Sequence, residues 1–317
     1  MDQLPLVLLL QISEYSFDTW KHFVFSHPRV GKWSLQPEYQ KHIQRKYTKC
    51  IEYQQNQDGI IREYKLCNEH HNVDGPAVEY QNGTKMWYRH GLLHREGDLP
   101  AVENANGTKE WWKNGQHHRD GDNPAMEYNN GTRIWGKNGL IHRDGDLPAR
   151  ENENGSKEWY KNGKLHRDGD GPAMESPNGT KCWYKNGLRH RDGDLPAIEH
   201  LDGNRVVREW YKNGLRHREG DLPATEMSTG IKWWYKDDKI HRDGDLPAYE
   251  DGDGNKMWYK DGRHHRDGDL PATEQADGTK EWWKNGLRHR DGGLPAIEDL
   301  DGMKGWWKDG KRYDPAE

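Results

Sequence analysis

The chain has 317 residues, 31% hydrophobic and 32% charged, a balance that alone points to disorder because little apolar surface offsets chain entropy. Sixteen Trp and fifteen Tyr exclude that reading, and 36 Gly with 15 Pro predict turns in place of long helices. Net charge is -5 with 48 basic and 53 acidic residues interspersed, which leaves no polybasic field for nucleic acid or an anionic membrane.

The first fifty residues differ from the rest: all three Phe (Phe17, Phe23 and Phe25) fall there. Leu4 to Leu10, the longest apolar run, is far short of a membrane span, follows Asp2 and leads to no small-residue cleavage site. Neither a transmembrane helix nor a signal peptide is read. Cys50, Cys67 and Cys182 show no CxxC spacing and are too few to staple the chain, which fits a reducing, cytoplasmic compartment. Residues 1–50 are expected to form a small α-helical segment. Within it Leu4, Pro5, Leu8, Leu9 and Ile12 resemble the start of an F-box, LPxELLxxI, with Val7 at the usual Glu position and Trp33 near where an F-box often carries Trp. The resemblance implies that Pro5 and the Leu face dock on a Skp-type ubiquitin-ligase adaptor. The alternative is an amphipathic cap over the first hairpin.

From residue 51 the chain repeats itself. Pro76, Pro100, Pro124 and Pro148 open a series that runs to Pro295, and Trp87, Trp111, Trp135 and Trp159 open one that runs to Trp306. Each step is 24 residues except one of 27, whose extra three residues lie between Gly203 and Trp210 and are expected in a loop. Ala follows each Pro, Glu stands three residues after it, and His recurs from His70 and His94 to His289. Residues 51–75 read as a degenerate first repeat, with Gly59 and Tyr64 in phase. Residues 299–317 read as a terminal cap, with Tyr313 and Asp314 in place of His and Arg.

Each unit has two turn signals, a Gly four residues before the Trp and another four after it, as in Asn82-Gly83 and Asn114-Gly115. A three-residue loop of Gln81, Asn82 and Gly83 sets Glu79 opposite Lys85 and Ala77 opposite Trp87; a two-residue loop would lose both pairings. No single unit is stable alone, since one buried Trp contributes roughly 4–6 kcal/mol while ordering the repeat costs on the order of 36 kcal/mol. The fold class expected is mainly β: an elongated, solenoid-like array of β-hairpin repeats over 51–317, advancing ~10 Å per repeat. A propeller with two units per blade is the competitor, and no alternation between successive units supports it.

The run GTKEWYKNGLRHRDGDLPA, nearly intact in 179–197 and 278–296, resembles MORN-type repeats, particularly bacterial and viral variants built on WYxNG followed by His. It departs from the common pattern in carrying Arg after the His and in adding GDxPA. Similar repeats occur in large DNA viruses of amoebae, which implies a viral origin and a host-cytoplasmic location. The resemblance implies an elongated β-hairpin scaffold and carries over no catalytic residue.

A His ladder invites a metal, but rings ~10 Å apart cannot share an ion with bonds near ~2 Å, so packing or hydrogen bonding within each loop is preferred. HRDGDLPA lacks the dense oxygen spacing of a calcium loop; Asp and Gly are expected to turn the chain and Arg to pair with a recurring acid. No cofactor is expected. In Trp-Trp and Trp-Tyr pairs the two rings point to opposite faces of a strand. The second ring of each, Tyr88, Trp112, Tyr160, Tyr184, Tyr211, Tyr235, Tyr259, Trp283 and Trp307, is the candidate partner-binding row, against the simpler reading that both rings pack between layers. Gly136 breaks that row and is expected to leave a gap. Each acid, base and His is present about ten times over, whereas catalysis needs one constellation of distinct roles, so an enzyme is not expected. The function expected is a non-enzymatic protein-interaction scaffold, an F-box-type substrate adaptor whose repeats hold the target. The alternatives are a carbohydrate-binding protein or a structural component of a virion or surface.

Overall fold

A computed structural model describes residues 48–52, 59–66 and 69–315. The F-box-like residues Leu4, Pro5, Leu8, Leu9 and Ile12, and the helix expected around them, lie outside the described residues. Those described are mainly β with no helix, and so none long and apolar enough to cross a membrane. The chain divides into two compact units, Met1–Ile141 and His142–Glu317, and the 24-residue period gives no sign of that division.

In the first unit the strand Lys49–Glu52 pairs antiparallel with Ile60–Leu66, which pairs with Val78–Tyr80 across a bulge between Ile60 and Arg62. Each repeat then adds one hairpin, Val78–Tyr80 with Lys85–Met86 and Val102–Glu103 with Lys109–Glu110, and successive hairpins join by Lys85 pairing with Glu103. The second unit builds the same meander from Arg150–Glu151 to Lys304–Lys308. Glu151, Lys157, Glu175, Lys181 and Glu199 are register neighbours in turn, so opposite charges face each other at every step.

The expected three-residue loop is present. Tyr80 N–H donates to the Thr84 carbonyl around it, Gly83 has φ 92°, and Glu79 faces Lys85. The register does not extend to Ala77 and Trp87. Ala77 N–H donates to the Met86 carbonyl (2.8 Å), and Trp87 N–H turns to Ala101 of the next repeat (2.8 Å). From Trp87 to Trp282 the chain leaves the sheet at each phased Trp and carries the indole into the core, where the Ala has no exposed surface, whereas Trp306 stays within the strand Lys304–Lys308 and is only half-buried.

The second turn is tighter. Asn114 and Gly115, at φ 51° and 76°, close a two-residue loop between Trp112–Lys113 and Gln116–His117, and these hairpins form separate two-stranded ladders. The extra three residues near Gly203 do not enlarge a loop. They lengthen a hairpin, so that Ile198–Asp202 pairs with Arg205–Glu209 and Asp202 faces Arg205 across two residues. Gly136 leaves no open gap either. It is buried, and a Cβ there would meet Ala125 Cβ at 3.2 Å and His117 Cβ at 3.4 Å.

In the degenerate first repeat, Tyr64 takes the Trp place: its N–H donates to Ala77 and its carbonyl accepts from His71. The residue that acts as the phased histidine is therefore His71, not His70. Asn72 stands in for the following Arg, donating to the Pro76 carbonyl at 3.0 Å.

Candidate interaction surface

The loop HRDGDLP is a clamp between repeats. Arg218 lies with its guanidinium 3.9 Å from the ring centre of its own Trp210 and donates to the Pro223 carbonyl (3.2 Å) and to Glu226 (2.9 Å). It then reaches back to the preceding repeat and grips Asp194 through Nε and Nη2 at 2.6 and 2.7 Å. Arg167, Arg191, Arg242, Arg266 and Arg290 do the same with Asp146, Asp170, Asp221, Asp245 and Asp269. Arg218 beside Asp194 holds that carboxyl below its ordinary range. The pairing of Arg with a recurring acid thus appears as expected, but across repeats.

The phased histidines also work between repeats. Asn186 N–H donates to His166 Nδ1 (3.1 Å), which leaves the imidazole proton on Nε2, 3.0 Å from Asp168 of its own loop. The same bridge recurs at His142, His190, His265 and His289. A Lys completes the set: Lys260 and His265 hold Asp267 at about 2. Among the described residues no group of three or more His, Cys, Asp or Glu is arranged to hold a metal ion.

His71 differs from its later counterparts in being fully buried, with Nδ1 accepting from His90 N–H at 3.0 Å. Burial, then the neighbouring His90 and Arg89, push its pKa down to about 4. The unfolded chain takes up this proton below the ordinary value near 6.5, while the folded chain resists until about 4. The stabilisation is therefore complete above pH 6.5 and lost as pH falls to 4, by roughly 2–3 kcal/mol. Urea titrations at pH 7 and pH 4 should show a larger loss in the wild type than in His71→Asn, which keeps an acceptor for His90 N–H and cannot titrate. Equal losses would contradict this.

Tyr88, Trp112, Tyr160, Tyr184, Tyr235, Tyr259, Trp283 and Trp307 are half-buried and Tyr211 is buried. The polar atoms of Trp112, Tyr160, Tyr211 and Trp283 are each bonded to a Glu two residues earlier. Trp112 Nε1 donates to Glu110 (3.0 Å), and the Tyr160 hydroxyl donates to Glu158 (2.9 Å); burial, then that carboxylate, push the hydroxyl up to about 12. Several faces are covered by the facing strand or a neighbouring repeat: Trp112 by His117 at 3.6 Å, Tyr235 by Arg216 at 4.7 Å, Trp307 by Arg288 at 4.9 Å.

A different apolar row stands further out. Leu195, Leu222, Leu246, Leu270 and Leu294, each just before a repeat's Pro, are between 42% and 45% exposed in the second unit. Four of them border crevices between neighbouring repeats, one of which is lined by Asp192, Leu195, Trp210, Tyr211, Lys212 and Leu222. A second such crevice lies between Leu270 and Leu294. Sequence reasoning passed over these leucines. The signal was the substitution pattern, since Asn123 and Gly171 fill the same place in other repeats and a core position would not accept either.

Compared with known proteins, the chain matches no family model, and no curated protein is significantly similar to it.

Proposed function

We propose that the chain is a non-enzymatic protein-interaction scaffold of MORN-like repeats, whose array holds a partner protein. The observation that supports this is the use of the loop chemistry. Among the described residues Arg, His and Asp recur in one role, joining each repeat to the next, which supports a structural use of these groups in place of a catalytic one. The surface left to solvent includes a periodic series of leucines, suited to contact with a polypeptide. On the F-box resemblance, Leu4, Pro5, Leu8, Leu9 and Ile12 recruit a Skp-type adaptor, making the array the substrate-binding half of a cytoplasmic ubiquitin ligase.

Affinity purification of the full chain tests both halves. The wild type is expected to bring down a Skp-type subunit together with a second protein. Leu4→Asp with Leu8→Asp should lose the first and keep the second. Absence of the Skp-type subunit removes the adaptor role. A chain that retains no protein through its array, and binds a glycan array in its place, removes the scaffold reading.

A further inference from the structure

We propose that the leucine-lined crevices of the second unit bind a basic, proline-rich segment of the partner in polyproline II conformation. The proposal rests on the scaffold reading above and names the partner's chemistry.

Periodicity is the first argument. Each repeat contributes two strands to the sheet, so consecutive crevices are spaced by roughly 9.6 Å at ~4.8 Å per strand. A polyproline II helix has three residues per turn at ~3.1 Å each, a repeat of about 9.3 Å, so every third side chain of such a segment meets the next crevice. An extended β-strand returns to the same face every ~6.7 Å and falls out of step within two repeats. The five leucines from Leu195 to Leu294 stand in consecutive repeats, which offers a run long enough for this match to matter. A polyproline II segment forms no ladder with its own backbone, so it can seat in such crevices without pairing to a strand.

Charge is the second. In each clamp the cation is buried and the anion is not: the Arg218 side chain is 11% exposed and Asp194 56%. The first acid of the loop is more open still, with Asp192 74% exposed against 50% for its partner Lys185. Two carboxylates per repeat, each more exposed than the cation paired with it, therefore rim the crevices, and they favour Arg or Lys between the apolar residues of the ligand.

Fluorescence anisotropy with the full chain tests this, using a labelled synthetic peptide of five Leu-Pro-Arg triplets as the probe. The peptide is expected to bind saturably. Leu195→Asn with Leu222→Asn, which border one crevice together, should weaken it by roughly tenfold or more. The repeat that carries Asn123 is built like its neighbours, so this variant keeps the fold, and an unchanged thermal transition checks that. Five Leu-Pro-Glu triplets, and a peptide of Leu-Pro-Arg-Ser quartets that breaks the period, should each bind at least about tenfold more weakly. The proposal is overturned if the triplet peptide does not bind, if the Asn substitutions leave its affinity unchanged, or if the acidic or quartet peptide binds equally well. Should any of these hold while the array still retains a protein partner, the fault lies with the polyproline assignment. Loss of every protein partner would fault the scaffold reading itself.

Discussion

Replacing Trp183 by Ala is expected to lower stability by about 4 kcal/mol, among the largest effects of any single truncation in the second unit. The indole is 6% exposed and packs with Cys182, Ala197, Ile198 and Tyr211. Its N–H donates to the Asp170 carbonyl at 3.1 Å, and Arg191 covers its face at 3.9 Å. Truncation opens a cavity that the surrounding strands, fixed by register on both sides, cannot collapse to fill. In a one-dimensional array the damage stays near the altered repeat, so native-state hydrogen exchange should show lost protection concentrated in neighbouring repeats. Leu300→Ala, at a side chain 72% exposed, should change stability by no more than about 0.5 kcal/mol. Comparable effects from the two substitutions would show that the indoles do not form the core.

Arg242→Ala is expected to cost about 3 kcal/mol, and Arg242→Lys to recover less than half of it. The guanidinium stacks 4.0 Å from the Trp234 ring centre while donating to Asp221, the Pro247 carbonyl and Glu250. A lysine ammonium cannot hold both oxygens of Asp221 and lie flat on the indole at once. Urea unfolding of the two variants, with Asp221→Asn to complete a double-mutant cycle, measures the coupling across the junction. Full rescue by Lys would mean that charge alone, without planar geometry, holds the repeats together.

Much of the hairpin geometry was legible because its causes are local. Asn82-Gly83 fixed the loop, and the demand that Glu79 meet Lys85 fixed the register. The exit of the chain from the sheet at Trp87 was not legible, because it depends on the Ala101 carbonyl in the following repeat. Neighbour-dependent contacts explain the other differences. His70 has the expected phase, yet His71 takes the bridging place because Tyr64 and not residue 63 enters the Trp slot, and only tertiary contacts report a one-residue shift. Periodicity showed that Arg and Asp matter in every unit, but bonds within one loop and bonds between adjacent loops predict the same recurrence. The aromatic row was a reasonable candidate on strand alternation alone. What alternation does not contain is that Trp112 and its counterparts sit on separate two-stranded hairpins, where the facing strand supplies a neighbour such as His117, and that Leu222 and its counterparts are exposed.

The scaffold reading needs a surface that stays rigid although it is built of short strands and exposed loops. That rigidity comes from loop side chains that bind the next repeat. Amide exchange at Asn186 and Gly187 tests this most directly, because both sit in an exposed two-residue turn where exchange would ordinarily be fast. Asn186 N–H donates to His166 Nδ1 at 3.1 Å and Gly187 N–H to the Leu165 carbonyl at 2.8 Å, both in the preceding repeat. Strong protection of both amides, with that of Asn186 abolished by His166→Ala, is the predicted result. Exchange of both at the rate of an unstructured peptide would contradict it.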